Sequence, residues 1–377
     1  MASYRYLVVG GGMTGDSVCR GIRDVDSDGT ICLVGDEQHA PYKRPPLTKG
    51  LWSGGGEEKI WRHTDEHRVD LRLGRTIVSI DPAAHRATDD AGEEYDYERL
   101  VLATGGTPRR LPNARDDVVY FRTLDDYRRV RGLSDAGARF LVVGGGFIGS
   151  EIAAALRSQG REVTMVFPEA GIGWRVFPPD LARFVTDYYR EKGVDVRTET
   201  FFDSAEGFDA VVAGLGIVPR TDLAEAAELP VGDGIVVDDR GRVEGQEHVY
   251  AAGDVANFPM PLLGRSGRVE HEDHANTHGR LVGGNAAGHD DRYEHLPFFY
   301  SDLFDLGYEA VGETDGRSET VELWLEPFRK GVVAYVDEGR RPRGFLLWNV
   351  WDKVDPAREL IRAAEPVDEG ALRELAG

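Results

Sequence analysis

Residues 10–15 form the hexapeptide Gly10-Gly11-Gly12-Met13-Thr14-Gly15, which follows a short apolar run and precedes a helical pattern. This is the GxGxxG pattern of a dinucleotide-binding turn. Gly10 permits the tight turn, Gly12 lets the backbone approach a pyrophosphate, and Gly15 lets the helix pack against the strand. Asp36 follows the next apolar run, where a carboxylate can accept hydrogen bonds from a ribose. The context predicts a nucleotide-binding βαβ unit at this end of the chain.

The same pattern returns about 130 residues later as Gly144-Gly145-Gly146-Phe147-Ile148-Gly149. Gly144, Gly146 and Gly149 are expected to take the three glycine roles of the first turn. Glu169 stands just past the second strand of this copy, where an acid favours the free 2′-hydroxyl of NAD over the 2′-phosphate of NADP. The nearby Arg175 weakens this preference. Two copies of one unit each need a sheet, so we predict two nucleotide-binding layers.

The hydrophobic pattern places secondary structure around both turns. We expect helices at 16–25 and 148–159, and strands at 4–9, 31–34, 71–91, 100–103, 140–143, 163–167, 209–218, 234–237 and 249–252. From Pro297 onward the sequence becomes rich in aromatic residues at strand-like spacing and closes with a polar helix. This change predicts an α/β protein that has two Rossmann-like dinucleotide-binding domains plus a C-terminal α+β domain.

Composition excludes several classes of partner. The 45 basic and 66 acidic residues leave a formal charge of −21, which argues against nucleic acid and anionic membranes. Only six of the basic residues are Lys, as in a GC-rich genome or in adaptation to high salt. No apolar run reaches the roughly 20 residues of a membrane span, and no signal peptide is evident, so we expect a cytoplasmic protein. Cys19 and Cys32 have no redox-motif spacing and are expected to be small core residues.

Four segments then carry a family resemblance. They are Pro41-Tyr42-Lys43-Arg44-Pro45-Pro46-Leu47-Thr48-Lys49, Ala103-Thr104-Gly105-Gly106-Thr107-Pro108-Arg109, Tyr250-Ala251-Ala252-Gly253-Asp254-Val255, and Arg268-Val269-Glu270-His271-Glu272-Asp273-His274-Ala275. With these segments the chain resembles the FAD-dependent pyridine-nucleotide oxidoreductases, and within them the branch of apoptosis-inducing factor and oxygenase-type ferredoxin reductases. The resemblance continues through 299–302 and 307–312 and covers nearly the whole chain.

The resemblance implies that the first turn binds FAD and the second binds NAD, with hydride passing from nicotinamide C4 to flavin N5. It adds a set of cofactor-binding residues, namely Arg44, Lys49, Thr104, Gly105, Arg109, Asp254, Glu270, His271 and Tyr300. Asp254 would hold the ribityl chain. The expected domains are 1–110 with 235–296 for FAD, 111–234 for NAD, and 297–377 for the C-terminal domain.

Four residues are expected to act in the reaction. The resemblance places Lys49 and Glu151 as an ion pair close to flavin N5, where a fixed cation stabilises developing negative charge. The alternative is a surface Lys and an ordinary helix Glu. Phe147 resembles the family aromatic that shields the flavin and yields to nicotinamide, or it simply packs under the turn. His271 opens a predicted helix whose N-terminal dipole would face the flavin N1–C2=O edge.

Two positions depart from the family pattern, and a third feature concerns metals. Glu272 stands where relatives often carry an aromatic residue or a second His, and Tyr300 stands where they often carry Trp, so exposure of the flavin is expected to differ. His271, His274 and His278 share one helical face at i, i+3 and i+7. Without a carboxylate from elsewhere they predict no metal site.

The electron acceptor is left open by the sequence. The branch favours an iron–sulfur protein of the ferredoxin or rubredoxin type. A second possibility is that the protein reduces a quinone, or reduces oxygen to peroxide. A third possibility is that it is an NADH-responsive binding protein that resembles apoptosis-inducing factor. Arg340, Arg341 and Arg343 form either a docking patch for an acidic carrier or an exposed loop. Homodimer formation is left open too.

Overall fold

The structure is a computed structural model that describes residues 2–112 and 118–377. The chain divides into two compact units. The first unit comprises residues 1–44, 56–107 and 218–297, and the second comprises 45–55, 108–217 and 298–377. The three-domain boundaries expected from the sequence stay a prediction, and positions 113–117 of the expected NAD-binding domain lie outside the described residues.

The described residues form both strands and helices, with long runs of strands at 69–120 and 298–348. The strands are β1 (Ala2–Val9), β2 (Ile31–Gly35), β3 (Val69–Leu73), β4 (Ile77–Asp81), β5 (Arg86–Asp89), β6 (Glu94–Leu102), β7 (Gly106–Pro108), β8 (Val118–Tyr120), β9 (Phe140–Val143), β10 (Val163–Val166), β11 (Asp195–Arg197), β12 (Ala210–Ala213), β13 (Ile217–Pro219), β14 (Val231–Gly232), β15 (Gly234–Val236), β16 (Val249–Ala251), β17 (Ala256–Met260), β18 (Arg265–Gly267), β19 (Phe298–Leu303), β20 (Leu306–Gly312), β21 (Glu319–Glu326), β22 (Lys330–Val336) and β23 (Pro342–Trp348). The helices are α1 (Met13–Val25), α2 (Leu124–Asp135), α3 (Phe147–Ser158), α4 (Pro179–Glu191), α5 (Asp222–Ala226), α6 (Glu272–Ala286), α7 (Val354–Ala363) and α8 (Glu369–Ala376).

The first unit is built on a sheet in which β3, β2, β1 and β6 are parallel neighbours. The far edge of β6 pairs with β16 in parallel near its end and with antiparallel β5 near its start. Helices α1 and α6 approach closely because glycines stand at their crossing. A Cβ added to Gly21 would lie 1.9 Å from the carbonyl oxygen of Arg280, and one on Gly283 would lie 2.1 Å from that of Val18.

The second unit contains a five-stranded parallel sheet in the order β11-β10-β9-β12-β8. Its central strands are continuous apolar runs that are buried, as expected for a parallel sheet covered on both faces. Each unit therefore carries one parallel sheet in which a glycine turn connects a strand to a helix, β1 to α1 in the first unit and β9 to α3 in the second. The predicted pair of Rossmann-like layers is confirmed.

The last part of the second unit is an antiparallel sheet in the order β19-β20-β23-β22-β21. Trp348, Tyr308 and Phe345 are buried in it beside aliphatic residues such as Val332 and Leu346. The chain closes with two helices, α7 and α8, where the sequence pattern had suggested one. Within residues 2–112 and 118–377, no helix has both the length and the apolarity needed to cross a membrane.

Candidate active site

The first glycine turn has the geometry of a phosphate cradle. Gly10 has φ +128°, and a Cβ on it would lie 2.1 Å from the carbonyl oxygen of Ala103. Helix α1 begins at Met13, three residues earlier than expected, so Gly15 lies inside its first turn, where a Cβ would lie 2.0 Å from the oxygen of Gly10. Around Gly12 the nearest described atom to an added Cβ is Arg44 Nη2, 4.0 Å away. The helix N-terminus is therefore open to an anion, and the residues fit a dinucleotide pyrophosphate.

The other motifs assigned to FAD meet this turn within the first unit. Gly253 has φ +72°, and a Cβ on it would lie 2.2 Å from Thr14 Oγ1, so the Gly253-Asp254 turn packs directly on the start of α1. Arg268 links two assigned residues, because its Nη1 donates to the Asp254 carbonyl at 2.8 Å and lies 2.9 Å from Glu270 Oε1. The glycine turn at 10–15 thus lies beside the motifs at 250–255 and 268–275, which follow it by more than 200 residues.

Two polar residues that the sequence reading missed contact the assigned ones. Arg220 Nη1 lies 2.7 Å from Asp36 Oδ2, and its backbone carbonyl accepts a hydrogen bond from Thr104 Oγ1 at 2.8 Å. Glu37 lies 2.5 Å from Arg44 Nη2. Signals for both were present in the sequence. Arg220 follows Pro219 as Arg109 follows Pro108, and Glu37 is adjacent to Asp36.

The second glycine turn repeats the construction in the second unit. Gly144 has φ +117°, and a Cβ on it would lie 2.4 Å from the Gly214 oxygen, while a Cβ on Gly149 would lie 2.0 Å from the Gly144 oxygen. Gly146 directly precedes α3, and no described atom outside its own neighbours lies within 4 Å of a Cβ placed there. This turn also fits a dinucleotide. Arg109, assigned to the flavin, is exposed in this unit and donates from its N–H to the Gly216 carbonyl at 2.9 Å.

The acid beside the second turn is paired with the nearby arginine. Glu169 Oε1 lies 3.1 Å from Arg175 Nη2. The Arg175 side chain is 86% exposed, whereas that of Glu169 is 25% exposed. The connecting loop is tied to the turn, because the Gly173 N–H donates to the Gly145 carbonyl at 2.9 Å. An exposed arginine can leave the pair at low cost, so Glu169 is available to a ribose hydroxyl.

The expected ion pair between Lys49 and Glu151 is present and buried. The Lys49 ammonium contacts Glu151 Oε1, and the two side chains are 13% and 6% exposed. Ser301 Oγ donates to the same oxygen at 2.6 Å, and Thr48 Oγ1 donates to Oε2 at 2.5 Å. Lys49 Nζ also lies 5.4 Å from the centroid of the Tyr300 ring. The sequence reading missed both hydroxyls, although Thr48 and Ser301 sit inside the motifs that carried the resemblance.

Phe147 and His271, the other two residues expected to act in the reaction, occupy different environments. Phe147 is the first residue of α3, is 37% exposed and meets Phe299 edge-on at 5.1 Å. A ring packed under the turn would be buried, so this exposure leaves Phe147 accessible to a ligand. His271 is the residue directly before α6, as expected. Desolvation lowers the pKa of His271 to about 4, so its imidazole is neutral at neutral pH.

The other two histidines of α6 are buried core residues. His274 and His278 stack on each other at 4.7 Å, and His274 stacks on Phe258 at 4.7 Å. The Gly253 N–H donates to His278 Nδ1 at 3.2 Å, so His278 holds the turn that carries Asp254. Burial lowers the pKa of His278 to about 3 and that of His274 well below its ordinary value. Within the described part of the chain, no group of three or more His, Cys, Asp or Glu residues is arranged to hold a metal ion.

Both cysteines are buried thiols, Cys19 in α1 and Cys32 in β2, as expected. Burial raises the pKa of the Cys32 thiol to about 12 and that of Cys19 even further. Because the thiolate is the reactive form, neither residue is suited to thiol–disulfide exchange.

Two open glycine turns on two parallel sheets, together with a buried Lys–Glu pair, define a dinucleotide-binding oxidoreductase. The chain belongs to the pyridine nucleotide-disulphide oxidoreductase family, whose sequence profile matches residues 4–279. It is 34% identical to the ferredoxin–NAD(+) reductase component of the anthranilate 1,2-dioxygenase system of Burkholderia cepacia, across 99% of this chain and 98% of that one. It is 29% identical to apoptosis-inducing factor 1, mitochondrial, of Dictyostelium discoideum, across 97% of this chain and 80% of that one.

A solved structure agrees with this placement. The covalent complex of putidaredoxin reductase with putidaredoxin contains a chain that superposes with a TM-score of 0.91, at 30% identity, and the match covers 99% of this chain and 96% of that one. The protein is accordingly an NAD(P)H-dependent flavoprotein oxidoreductase whose cofactors are FAD and NAD(H).

Proposed function

We propose that this protein takes hydride from NADH and delivers electrons to an iron–sulfur protein of the ferredoxin or rubredoxin type. The observation that carries the proposal is the 34% identity to a ferredoxin–NAD(+) reductase component over nearly the full length of both chains. A relation confined to the nucleotide-binding folds would leave the C-terminal sheet unmatched. Here the match includes that sheet, which supplies Tyr300 and Ser301 to the Lys49–Glu151 pair.

The two nucleotides are assigned to the two turns. The first turn, with Gly10, Gly12 and Gly15, binds the FAD pyrophosphate, and the other motifs that carry the resemblance hold the rest of the cofactor. Those motifs provide Asp36, Arg44, Thr104, Gly105, Arg109, Asp254, Glu270, His271 and Tyr300. The second turn, with Gly144, Gly146 and Gly149, binds the NADH pyrophosphate, and Glu169 accepts hydrogen bonds from its adenosine ribose.

The reaction chemistry belongs to the cofactors, and the chain positions and stabilises them. FAD, when bound, would supply the chemistry of hydride uptake from NADH and of electron release to an acceptor. Lys49 provides a fixed positive charge beside the flavin, which Glu151 orients. Because both side chains are largely buried, this charge is screened less by water than a surface lysine would be. Phe147, exposed at the start of α3, would shield the bound flavin and would yield to nicotinamide. His271 precedes α6, whose N-terminal dipole would stabilise negative charge on the bound flavin. Its neutral imidazole adds no full charge to that effect.

A second function has its own support. The 29% identity to an apoptosis-inducing factor over 97% of this chain favours a protein whose reduced complex with NAD is long-lived. Such a protein would serve as an NADH-responsive binding protein and would pass its electrons on slowly. The two functions differ in how fast the reduced protein is reoxidised.

Reoxidation kinetics separate these functions. The holoprotein is reduced with NADH without oxygen and mixed in a stopped-flow instrument with a [2Fe–2S] ferredoxin, a rubredoxin, menadione or oxygenated buffer. Fast and saturable reoxidation by one of the two iron–sulfur proteins supports the proposal. Faster turnover with menadione or oxygen overturns it in favour of a quinone or oxygen reductase. Persistence of the reduced complex with every acceptor supports the binding-protein function.

Location and assembly are part of the proposal. We place the protein in the cytoplasm, and fractionation of cells of the source organism tests this. Sedimentation velocity of the holoprotein, with and without NADH, tests whether it forms a homodimer and whether reduction changes its assembly.

A further inference from the structure

Two separate segments of the second unit donate hydrogen bonds to the carboxylate of Glu151, which a third segment carries. The carboxylate belongs to the first turns of α3. Thr48 and Lys49 lie between the short helical turns Pro45–Leu47 and Gly50–Trp52. Ser301 belongs to β19 of the C-terminal sheet. Glu151 is separated from Thr48 by 103 positions and from Ser301 by 150 positions, so these contacts exist only in the folded chain.

The carboxylate uses both of its oxygens. Oε1 accepts from the Lys49 ammonium and from Ser301 Oγ, and Oε2 accepts from Thr48 Oγ1. A buried carboxylate that loses one of these donors loses a contact that sets its orientation. A shift of the carboxylate also shifts the Lys49 ammonium, because the two groups form an ion pair.

Of the two hydroxyls, Ser301 is the one whose position is determined by distant packing. It is 1% exposed and lies within the β19–β20 ladder, opposite Tyr308. Thr48 has a second acceptor, the Pro45 carbonyl 3.3 Å from its Oγ1, and is the direct neighbour of Lys49. The preceding residue of β19, Tyr300, places its ring 5.4 Å from Lys49 Nζ. The strand therefore contacts both members of the ion pair.

We infer that Ser301 is a positioning residue for flavin reduction: through the Glu151 carboxylate it sets where the Lys49 ammonium stands. The inference rests on the proposed role of Lys49 beside the flavin. Small displacements of a preorganised group reduce the rate of the chemical step without weakening substrate binding. Ser301 should thus affect the limiting rate of hydride transfer and leave the apparent Kd for NADH unchanged.

The experiment uses the FAD-loaded protein and anaerobic mixing with a series of NADH concentrations. We expect Ser301→Ala to lower the limiting rate about ten-fold, with unchanged flavin content and unchanged apparent Kd. Ser301→Thr restores a hydroxyl on the same Cβ and should recover most of the rate. The matched control is Ser134→Ala, which removes an equally buried serine hydroxyl of α2 in the same unit. It should reduce at the parent rate.

A double-mutant cycle with Lys49→Met separates this inference from the proposal on which it rests. Once Lys49 is gone, Ser301→Ala should cost nothing further, since the ammonium it positions is absent. The inference is overturned if Ser301→Ala is reduced at the parent rate, or if Ser301→Ala lowers the rate by the same factor with and without Lys49. In either case a slow Lys49→Met still supports the proposed role of Lys49. Parent-like reduction by Lys49→Met overturns that role itself. If Ser301→Ala does not retain FAD, Ser301→Cys replaces it in the cycle, because the thiol keeps the volume and is a weak donor.

Discussion

Replacing Lys49 with Met should slow the reduction of the flavin by NADH by two to three orders of magnitude. Met keeps the length and apolar stem of the side chain and removes the charge. Loss of a preorganised group that stabilises developing charge costs about 2.7–4 kcal/mol, or roughly 10²–10³ in rate, when the site excludes water. Lys49 is 13% exposed and Glu151 is 6% exposed, so the loss should fall within this range and not below it.

The structure adds a second contribution to this loss. Without Lys49, the Glu151 carboxylate keeps its hydroxyl donors Ser301 and Thr48 but loses its counter-charge. An ionised carboxylate without this counter-charge opposes negative charge on a nearby flavin. The double variant Lys49→Met/Glu151→Gln removes this repulsion. It should therefore reduce faster than Lys49→Met alone and more slowly than the parent.

The assay is bleaching of the oxidised flavin after anaerobic mixing with saturating NADH. Lys192→Met is the matched control, because Lys192 also has an ion pair, at 2.7 Å to Asp305, and an aromatic neighbour, the Tyr188 ring at 5.0 Å. It should reduce at the parent rate. If Lys49→Met binds FAD and reduces as fast as the parent, the pair is structural and the assignment is wrong.

Three more predictions concern the nucleotides and the histidines. In rapid mixing, the flavin of the parent should be reduced faster by NADH than by NADPH. Glu169→Ala should narrow this difference in rate, because Arg175 then lacks its Glu169 partner and can bind a 2′-phosphate. Equal rates in the parent would mean that Glu169 does not select NADH over NADPH. FAD should pass into the supernatant when the protein is precipitated with acid, whereas yellow colour in the pellet would show a covalent bond. The folded pKa of His278, about 3, lies below its unfolded value of about 6.5, so its contribution to stability is complete above the unfolded pKa and is lost as the pH falls towards the folded one. His278→Asn keeps an acceptor for the Gly253 N–H. As the pH falls below about 6.5, its unfolding free energy in urea should fall less steeply than that of the parent, and the difference in slope should approach about 1.4 kcal/mol per pH unit near pH 5. Identical slopes would show that His278 is not held neutral.

Much of the fold could be predicted from the sequence because its constraints are local. Gly10 and Gly144 have positive φ and stand against backbone oxygens, so only glycine fits, and the residue type alone marks the turn. Buried parallel strands such as β9 and β12 are short apolar runs that a sequence displays directly. The sequence pattern predicts a start for α1 that is three residues later than Met13, because a glycine-rich stretch has weak helix propensity. Packing of the helix on the strand overrides that propensity.

Part of the candidate site was also determined by the sequence, through motifs in which the important residues are neighbours. The resemblance predicts an ion pair between Lys49 and Glu151, and the structure contains it. The hydroxyls that complete it were missed. Thr48 and Ser301 carry no chemical signal of their own, since serine and threonine are common and their role depends on what lies within 3 Å.

The tertiary structure alone decided which polar groups share a carboxylate. Glu151 receives donors from segments 103 and 150 positions away, and Asp36 meets Arg220 across 184 positions. Such contacts depend on how β19 packs within the second unit and on how the loop after β13 packs within the first, and this packing involves segments that are distant along the chain. A glycine turn is recognisable because its restriction lies in its own backbone. A buried hydrogen bond between distant side chains is not, because no short stretch of sequence contains both partners.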